Sequence, residues 1–138
     1  MSNRTFTIIK PDSVRKGNFG KILSRLESAG FTVLGVKKVS LARPQAEAFY
    51  GVHSSRPFFG SLVEYMTSGP VYVIALQGEN AVASLRTLMG ATDPAKADVG
   101  TIRKEFGESI EQNAIHGSDS DENAKTEISF FFAESELL

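Results

Sequence analysis

One short segment concentrates reactive groups: Asn113-Ala-Ile-His116-Gly-Ser-Asp-Ser120. It sets an imidazole, a glycine and a run of hydroxyl and carboxyl side chains just ahead of a stretch that opens with Asp121 and Glu122. Gly117 lets the backbone turn sharply or approach a ligand. Ser118, Asp119 and Ser120 can fix local geometry through side-chain to backbone bonds, or cap the helix that follows. The pattern places His116 beside a helix N-terminus, a natural position for a phosphate. It also reads as a capping loop that contains a histidine, and the local sequence leaves both readings open.

Three cations could serve such an anion. Lys10 ends an apolar run just before Pro11, Arg86 lies off an apolar stripe, and Arg103 follows Gly100-Thr-Ile. Guanidinium forks pair well with phosphate oxygens, so the three could line a cleft for a polyphosphate. Taken singly, each reads as a solvated surface charge. The usual nucleotide loops are missing: there is no GxxxxGK[ST] and no GxGxxG. Gly17-Asn-Phe-Gly20-Lys21 has the wrong spacing and reads as a turn before a helix. HExxH and GxSxG are absent. The chain has no cysteine, which excludes thiol nucleophiles and Cys-zinc sites, and two histidines are too few for a His-rich metal site.

The 138 residues suit one domain over 1–138 with its own core. Hydrophobic residues at 41% and charged residues at 22% exclude disordered and coiled-coil classes. Fifteen Lys and Arg against sixteen Asp and Glu give a net charge of -1, without the basic excess of a nucleic-acid binder, so no specific nucleic acid is expected. The N-terminus lacks the apolar core of a signal peptide. The longest apolar run falls far short of the ~20 residues needed to span a bilayer. A cytoplasmic protein with no membrane partner is expected.

These groups need a frame. Residues 5–10 (TFTIIK) read as a strand that Pro11 stops. Residues 18–29 read as a helix: Phe19, Ile22, Leu23, Leu26 and Ala29 share a stripe, Asn18 can cap it, and Gly30 fits the C′ position. A long strand is expected at 31–41, and two short helices at 44–52 and 60–67 around a loop. The apolar run 71–77 (VYVIALQ) reads as a buried central strand. A helix is expected at 80–89, capped by Asn80 and closed by Gly90. Residues 90–113 read as a long loop carrying a short helix near 102–106, and such loops in compact domains are usually functional. A short helix at 121–127 carries acids in its first turn, complementing the helix dipole. A last strand is expected at 128–132 (ISFFF). The pattern suggests an α/β (α+β) class: a ferredoxin-like split β-α-β sandwich, a four-stranded antiparallel sheet with helices packed on it.

Seven segments occur in order: Ile8-Ile-Lys-Pro-Asp12, Phe49-Tyr50, Arg56-Pro-Phe-Phe59, Met66-Thr-Ser-Gly-Pro70, Leu88-Met-Gly-Ala-Thr-Asp-Pro94, Gly100-Thr-Ile-Arg103 and the His116 segment. With them the sequence resembles the nucleoside diphosphate kinase family along essentially the whole chain, and the last segment is that family's signature. The resemblance implies a ferredoxin-like fold. It implies transfer of the γ-phosphate of a nucleoside triphosphate, mainly ATP, to a nucleoside diphosphate, which maintains NTP and dNTP pools. It further implies a ping-pong route through a phosphohistidine, with Mg²⁺ held by nucleotide phosphates rather than by protein ligands. The expected assembly is a homo-oligomer, a hexamer or tetramer built on a dimer.

By matching motifs, the resemblance makes His116 the nucleophile. Lys10, Tyr50, Arg86, Thr92, Arg103 and Asn113 would line the phosphate and ribose site. Phe58, with help from Leu62, would stack on the base, and Ser118 and Glu127 would orient and support His116. His53 matches no functional position and reads as a surface loop residue. The chemistry agrees: neutral imidazole is a competent nucleophile near pH 7, its ordinary pKa being about 6.5. Cations that offset charge on the transferring phosphoryl group supply the main catalytic effect in such reactions. An aromatic face tolerates any base.

One departure stands out. The family often has proline just before Gly-Thr-Ile-Arg, where this chain has Val99. The loop 92–111 matches a family loop that contacts neighbouring subunits, so the change bears on loop rigidity and assembly rather than chemistry. A longer C-terminal arm, which some members use in assembly, is not expected. Competing classes lack support in the residues. An RNA reader should carry an aromatic strand motif on a basic surface, a regulatory domain has no need of His116 with three cations, and an inactive relative should have lost the histidine.

Overall fold

The computed structural model describes residues 3–138. Four strands, β1 (Arg4–Ile9), β2 (Thr32–Val39), β3 (Val71–Gln77) and β4 (Ile115–Gly117), form an antiparallel sheet in the order β2-β3-β1-β4. The helices are α1 (Pro11–Arg15), α2 (Phe19–Ser28), α3 (Arg43–Phe49), α4 (Phe59–Met66), α5 (Ala81–Met89), α6 (Ile102–Phe106) and α7 (Asp121–Phe131). This is the ferredoxin-like α+β arrangement. Among the described residues no helix is long and apolar enough to cross a membrane.

β3 shows why its sequence is a nearly unbroken apolar run. Successive side chains of a strand point to opposite faces, and here both faces are covered. Val71, Val73 and Ala75 join Phe6 and Ile8 in a core closed by α3, α4 and α7. Ile74 and Leu76 join Ile9 in a second core closed by α2 and α5. Each fully buried Ile or Leu stabilises by roughly 1.5–3 kcal/mol, so the sheet is the rigid layer on which the site stands.

The last strand expected from sequence is not one. Residues 128–132 continue α7, which runs to Phe131. The aromatic run suggests β structure, but Ala124 and Ile128 are buried one turn apart, and Phe131 stacks on Phe6 of β1 with ring centroids 5.5 Å apart. That packing follows a helical period and overrides β propensity. The fourth strand is instead Ile115–Gly117, three residues within what read as loop.

Smaller differences have local causes. Pro11 ends β1 but also opens α1, where its fixed φ suits the first helical position. The helix expected over 44–52 stops at Phe49 and tightens into a 3₁₀ turn, Gly51–His53. Asn18 and Asn80 stand at the N-cap positions of α2 and α5, yet neither side chain makes a capping bond. Asn80 instead supplies a left-handed backbone, φ 49°, which asparagine tolerates.

Candidate active site

His116 is the middle residue of β4 and pairs with Ile8 of β1. Alternation sends Ile115 into the core under α5 and His116 to the other face of the sheet, toward α3 and α7. There the Phe49 and Tyr50 rings meet the imidazole edge-on, 5.6 and 6.2 Å between centroids. From α7, Glu127 Oε1 lies 3.0 Å from His116 Nε2. The buried Ser118 hydroxyl donates to the same oxygen at 2.7 Å. Because the carboxylate accepts, Nε2 carries the ring proton. Nδ1 is left without a hydrogen-bond partner among the described residues. Ser120 then caps α7, accepting the Asn123 N–H at 3.0 Å.

Gly117 plays a different part from the one its position suggested. A Cβ there would stand 2.4 Å from Met89 Sδ and 3.1 Å from Leu85 Cδ2. Its lack of a side chain lets α5 press against β4. That approach brings Arg86 of α5 to the strand, where Nη1 donates to the Gly117 carbonyl at 3.2 Å.

The other two cations arrive from other elements. Arg103 of α6 is buried and donates to the Ile115 carbonyl at 2.8 Å and to the Gly90 carbonyl at 3.2 Å. Its Nε is buried with no acceptor among the described residues. Burial, and then the charge of Arg86, lower its pKa to about 10. Lys10, at the end of β1, donates to Asn113 Oδ1 at 2.8 Å, and Asn113 Nδ2 donates to the Thr92 carbonyl at 3.0 Å. Burial, and then the charge of Arg103, lower Lys10 from its ordinary 10.5 to about 8, against an opposing pull from Asp12 and Glu111. Among the described residues none of the three cations forms a salt bridge with a carboxylate. The Tyr50 hydroxyl is likewise buried without a partner, and burial, with the charge of Glu127, holds it protonated.

These groups share one cleft of about 600 Å³. All the expected site residues line it except Ser118, which sits behind His116. Phe58 and Leu62, at the start of α4, form the apolar wall; Phe58 remains 47% exposed. The sequence reading missed other lining residues. Ile110, 61% exposed, adds a further apolar side chain, but an isoleucine in an irregular loop carries no signal of its own. Glu111 accepts the Ser61 hydroxyl at 3.0 Å and so ties the loop to α4. His53 is half-buried in the cleft wall, its ring 5.6 Å from that of Phe58, and is not the free surface residue expected.

A deep cleft with cations lacking carboxylate partners, orphaned buried donors and an apolar lip suits a polyanion that carries an aromatic group. On a ferredoxin-like sheet, that defines a nucleotide-handling protein. Comparison with known proteins narrows the class. The family model described as nucleoside diphosphate kinase matches residues 3–137. A nucleoside diphosphate kinase of Campylobacter hominis is 60% identical over 97% of this chain and 98% of that protein. One of Rhizorhabdus wittichii is 58% identical over 99% and 98%. Among solved structures, the Aquifex aeolicus nucleoside diphosphate kinase superposes with a TM-score of 0.96 at 43% identity, covering 99% of each chain. A halophilic one from Halobacterium salinarum, in complex with CDP, gives 0.94 at 40% identity, covering 100% of this chain and 92% of that one. The chain belongs to the nucleoside diphosphate kinase family and is a phosphotransferase.

Proposed function

We propose that the chain, as one domain over 1–138, moves the γ-phosphate of a nucleoside triphosphate, mainly ATP, to a nucleoside diphosphate through phosphorylated His116. The observation that carries this reading is the bond from His116 Nε2 to Glu127, which leaves the Nδ1 lone pair as the nucleophile. In the first half-reaction Nδ1 attacks the γ-phosphorus, the P–N bond forms, the bond to the β-phosphate oxygen breaks, and the nucleoside diphosphate leaves. The ring keeps its Nε2 proton, and Glu127 offsets the positive charge it gains. In the second half-reaction a β-phosphate oxygen of another diphosphate attacks phosphorus and the P–N bond breaks. No proton need be exchanged with water.

Lys10, Arg86 and Arg103 neutralise the transferring phosphoryl oxygens. Arg86 and Arg103 hold neutral carbonyls in their place, and Arg103 Nε and the Tyr50 hydroxyl supply further donors. Asn113 and Thr92 take the sugar and neighbouring phosphate. Phe58, helped by Leu62, offers a face to any base. Among the described residues no three His, Asp or Glu side chains gather as a metal cage. That fits Mg²⁺ carried on the nucleotide phosphates, since Mg²⁺ keeps waters and binds phosphate oxygens readily. Bound there, it would add positive charge to the phosphates.

This reaction would balance NTP and dNTP pools; the family resemblance supports a cytoplasmic location and assembly of a dimer into a tetramer or hexamer. The experiment is incubation with γ-labelled ATP and Mg²⁺, isolation of the protein, and addition of GDP. Acid-labile phosphate on His116 that GDP removes is expected. Phosphate elsewhere, or none, overturns the route.

A further inference from the structure

Asp12 has no part in that chemistry, yet it is the most buried charged residue among those described. Its Oδ2 accepts the N–H of Ala114 at 3.1 Å. Its Oδ1 accepts the hydroxyl of Tyr65 on α4, and that phenolic oxygen accepts the Asp12 N–H at 2.8 Å. Ala114 has φ 75°, a region that strains a residue with a Cβ. The Ile115 N–H donates to the Asn113 carbonyl at 2.9 Å, which closes a γ-turn around Ala114. Without Asp12 the Ala114 N–H would be a buried donor with nothing to meet. Asn113, which holds Lys10, is the first residue of this turn, and His116 stands two residues after Ala114.

We infer that Asp12 is a positioning residue for the nucleophile: its carboxylate, oriented by Tyr65, holds Ala114 in the strained turn and thereby sets where Asn113 and His116 stand. Its kinetic consequence rests on the phosphohistidine reading; the turn itself does not. Two other roles give different results. Asp12 also supports the charge on Lys10, and loss of any buried carboxylate can simply destabilise a fold.

The test is a double-mutant cycle with Ala114→Gly, because glycine adopts positive φ without penalty. In the wild-type background Asp12→Ala, which removes the acceptor altogether, should slow single-turnover phosphorylation of His116 by γ-labelled ATP roughly 10²-fold, the scale for misplacing a reacting group by about 1 Å. In the Ala114→Gly background the same substitution should cost less than about tenfold, since coupled residues are not additive. Equal losses in both backgrounds overturn the inference and assign Asp12 to Lys10. Earlier melting with an unchanged phosphorylation rate overturns it as well. Tyr65→Phe leaves the carboxylate in place and carries the same cycle if Asp12→Ala does not fold. Amide hydrogen exchange gives a readout independent of activity. Relative to the Ile74 amide of β3, the Ala114 amide should exchange at least about tenfold faster in Asp12→Ala, or in Tyr65→Phe, than in the unsubstituted protein. Unchanged relative exchange overturns the brace even if the parent protein never takes up label, whereas absent label in a protein with a protected Ala114 amide overturns the phosphohistidine reading alone.

Discussion

Glu127 reaches the imidazole of His116 through one oxygen, and Ser118 clamps that same oxygen. The carboxylate therefore has one orientation, and so does the ring. Glu127→Gln keeps an acceptor but loses the charge that offsets a phosphorylated imidazolium. Rapid-quench measurement of phosphoenzyme formation should show a fall of roughly 10²–10³, the scale for one electrostatic group in a transition state. A change of less than about threefold would remove Glu127 from the mechanism.

His116→Ala should abolish exchange between nucleotides while leaving the melting temperature near wild type, with a loss on the order of 10⁶ as for other covalent nucleophiles. His53→Ala removes only a ring beside Phe58. It should change KM modestly and leave kcat nearly unaltered. Steady-state assay of both variants with ADP and GDP decides which histidine carries the phosphate.

Arg86 and Arg103 should separate by stability. Alanine at either position should lower kcat by roughly 10²–10³. Arg103 is buried and bonded to the Ile115 and Gly90 carbonyls, so its removal also strands two acceptors. Each stranded group costs about 1–3 kcal/mol. Urea unfolding should therefore show destabilisation for Arg103→Ala and little for the exposed Arg86→Ala.

Lys10 couples the site to pH. Its pKa falls from 10.5 in the unfolded chain to about 8 in the folded one. Between these values the unfolded chain holds more protons, so this residue's contribution to stability rises with pH. Below about pH 8 both states are protonated and the full cost of burying the cation is felt. Lys10→Met should therefore gain stability over wild type below pH 8, and the gain should shrink as pH rises toward 10.5. Activity moves the other way: kcat/KM of the wild type should fall above about pH 8, and a flat profile there would exclude Lys10 as a phosphate ligand.

Val99 occupies a turn ready for proline. The Thr101 N–H donates to the Asp98 carbonyl, Gly100 has φ 93°, and Val99 is not among the positive-φ residues. That is a type II turn with Val99 at its second position, where proline is favoured. The side chain is 92% exposed and its N–H has no partner among the described residues. Val99→Pro should stabilise by roughly 0.4–1 kcal/mol through the unfolded chain, with activity unchanged. Urea unfolding with the subunit state followed in parallel checks it, and equal or lower stability would count against this turn geometry.

Legibility followed sequence distance. β3 could be read because burial on both faces leaves a run of apolar residues. β4 could not, because three residues are too few to show alternation, and the phenylalanines of α7 carried a stronger β signal than the strand itself. Lys10, Arg86 and Arg103 each resemble surface charges until β1, α5 and α6 bring them to one cleft. The reactive segment around His116 was visible at once as chemistry, and the family resemblance named its partners. Asp12 lay inside a recognised motif without a role, because its partners Tyr65 and Ala114 stand far along the chain.

The short outer strand has one more consequence. β4 pairs with β1 through His116, so the carbonyls of Ile115 and Gly117 point outward along the rim of the sheet. An open rim of that kind is a template for a foreign strand and a route to aggregation. Here both outward carbonyls are already occupied, one by Arg103 and one by Arg86. An invading chain would have to displace two guanidinium groups, one of them buried, and bring nothing to neutralise them. The arginines that await an anion thus also keep the sheet from growing.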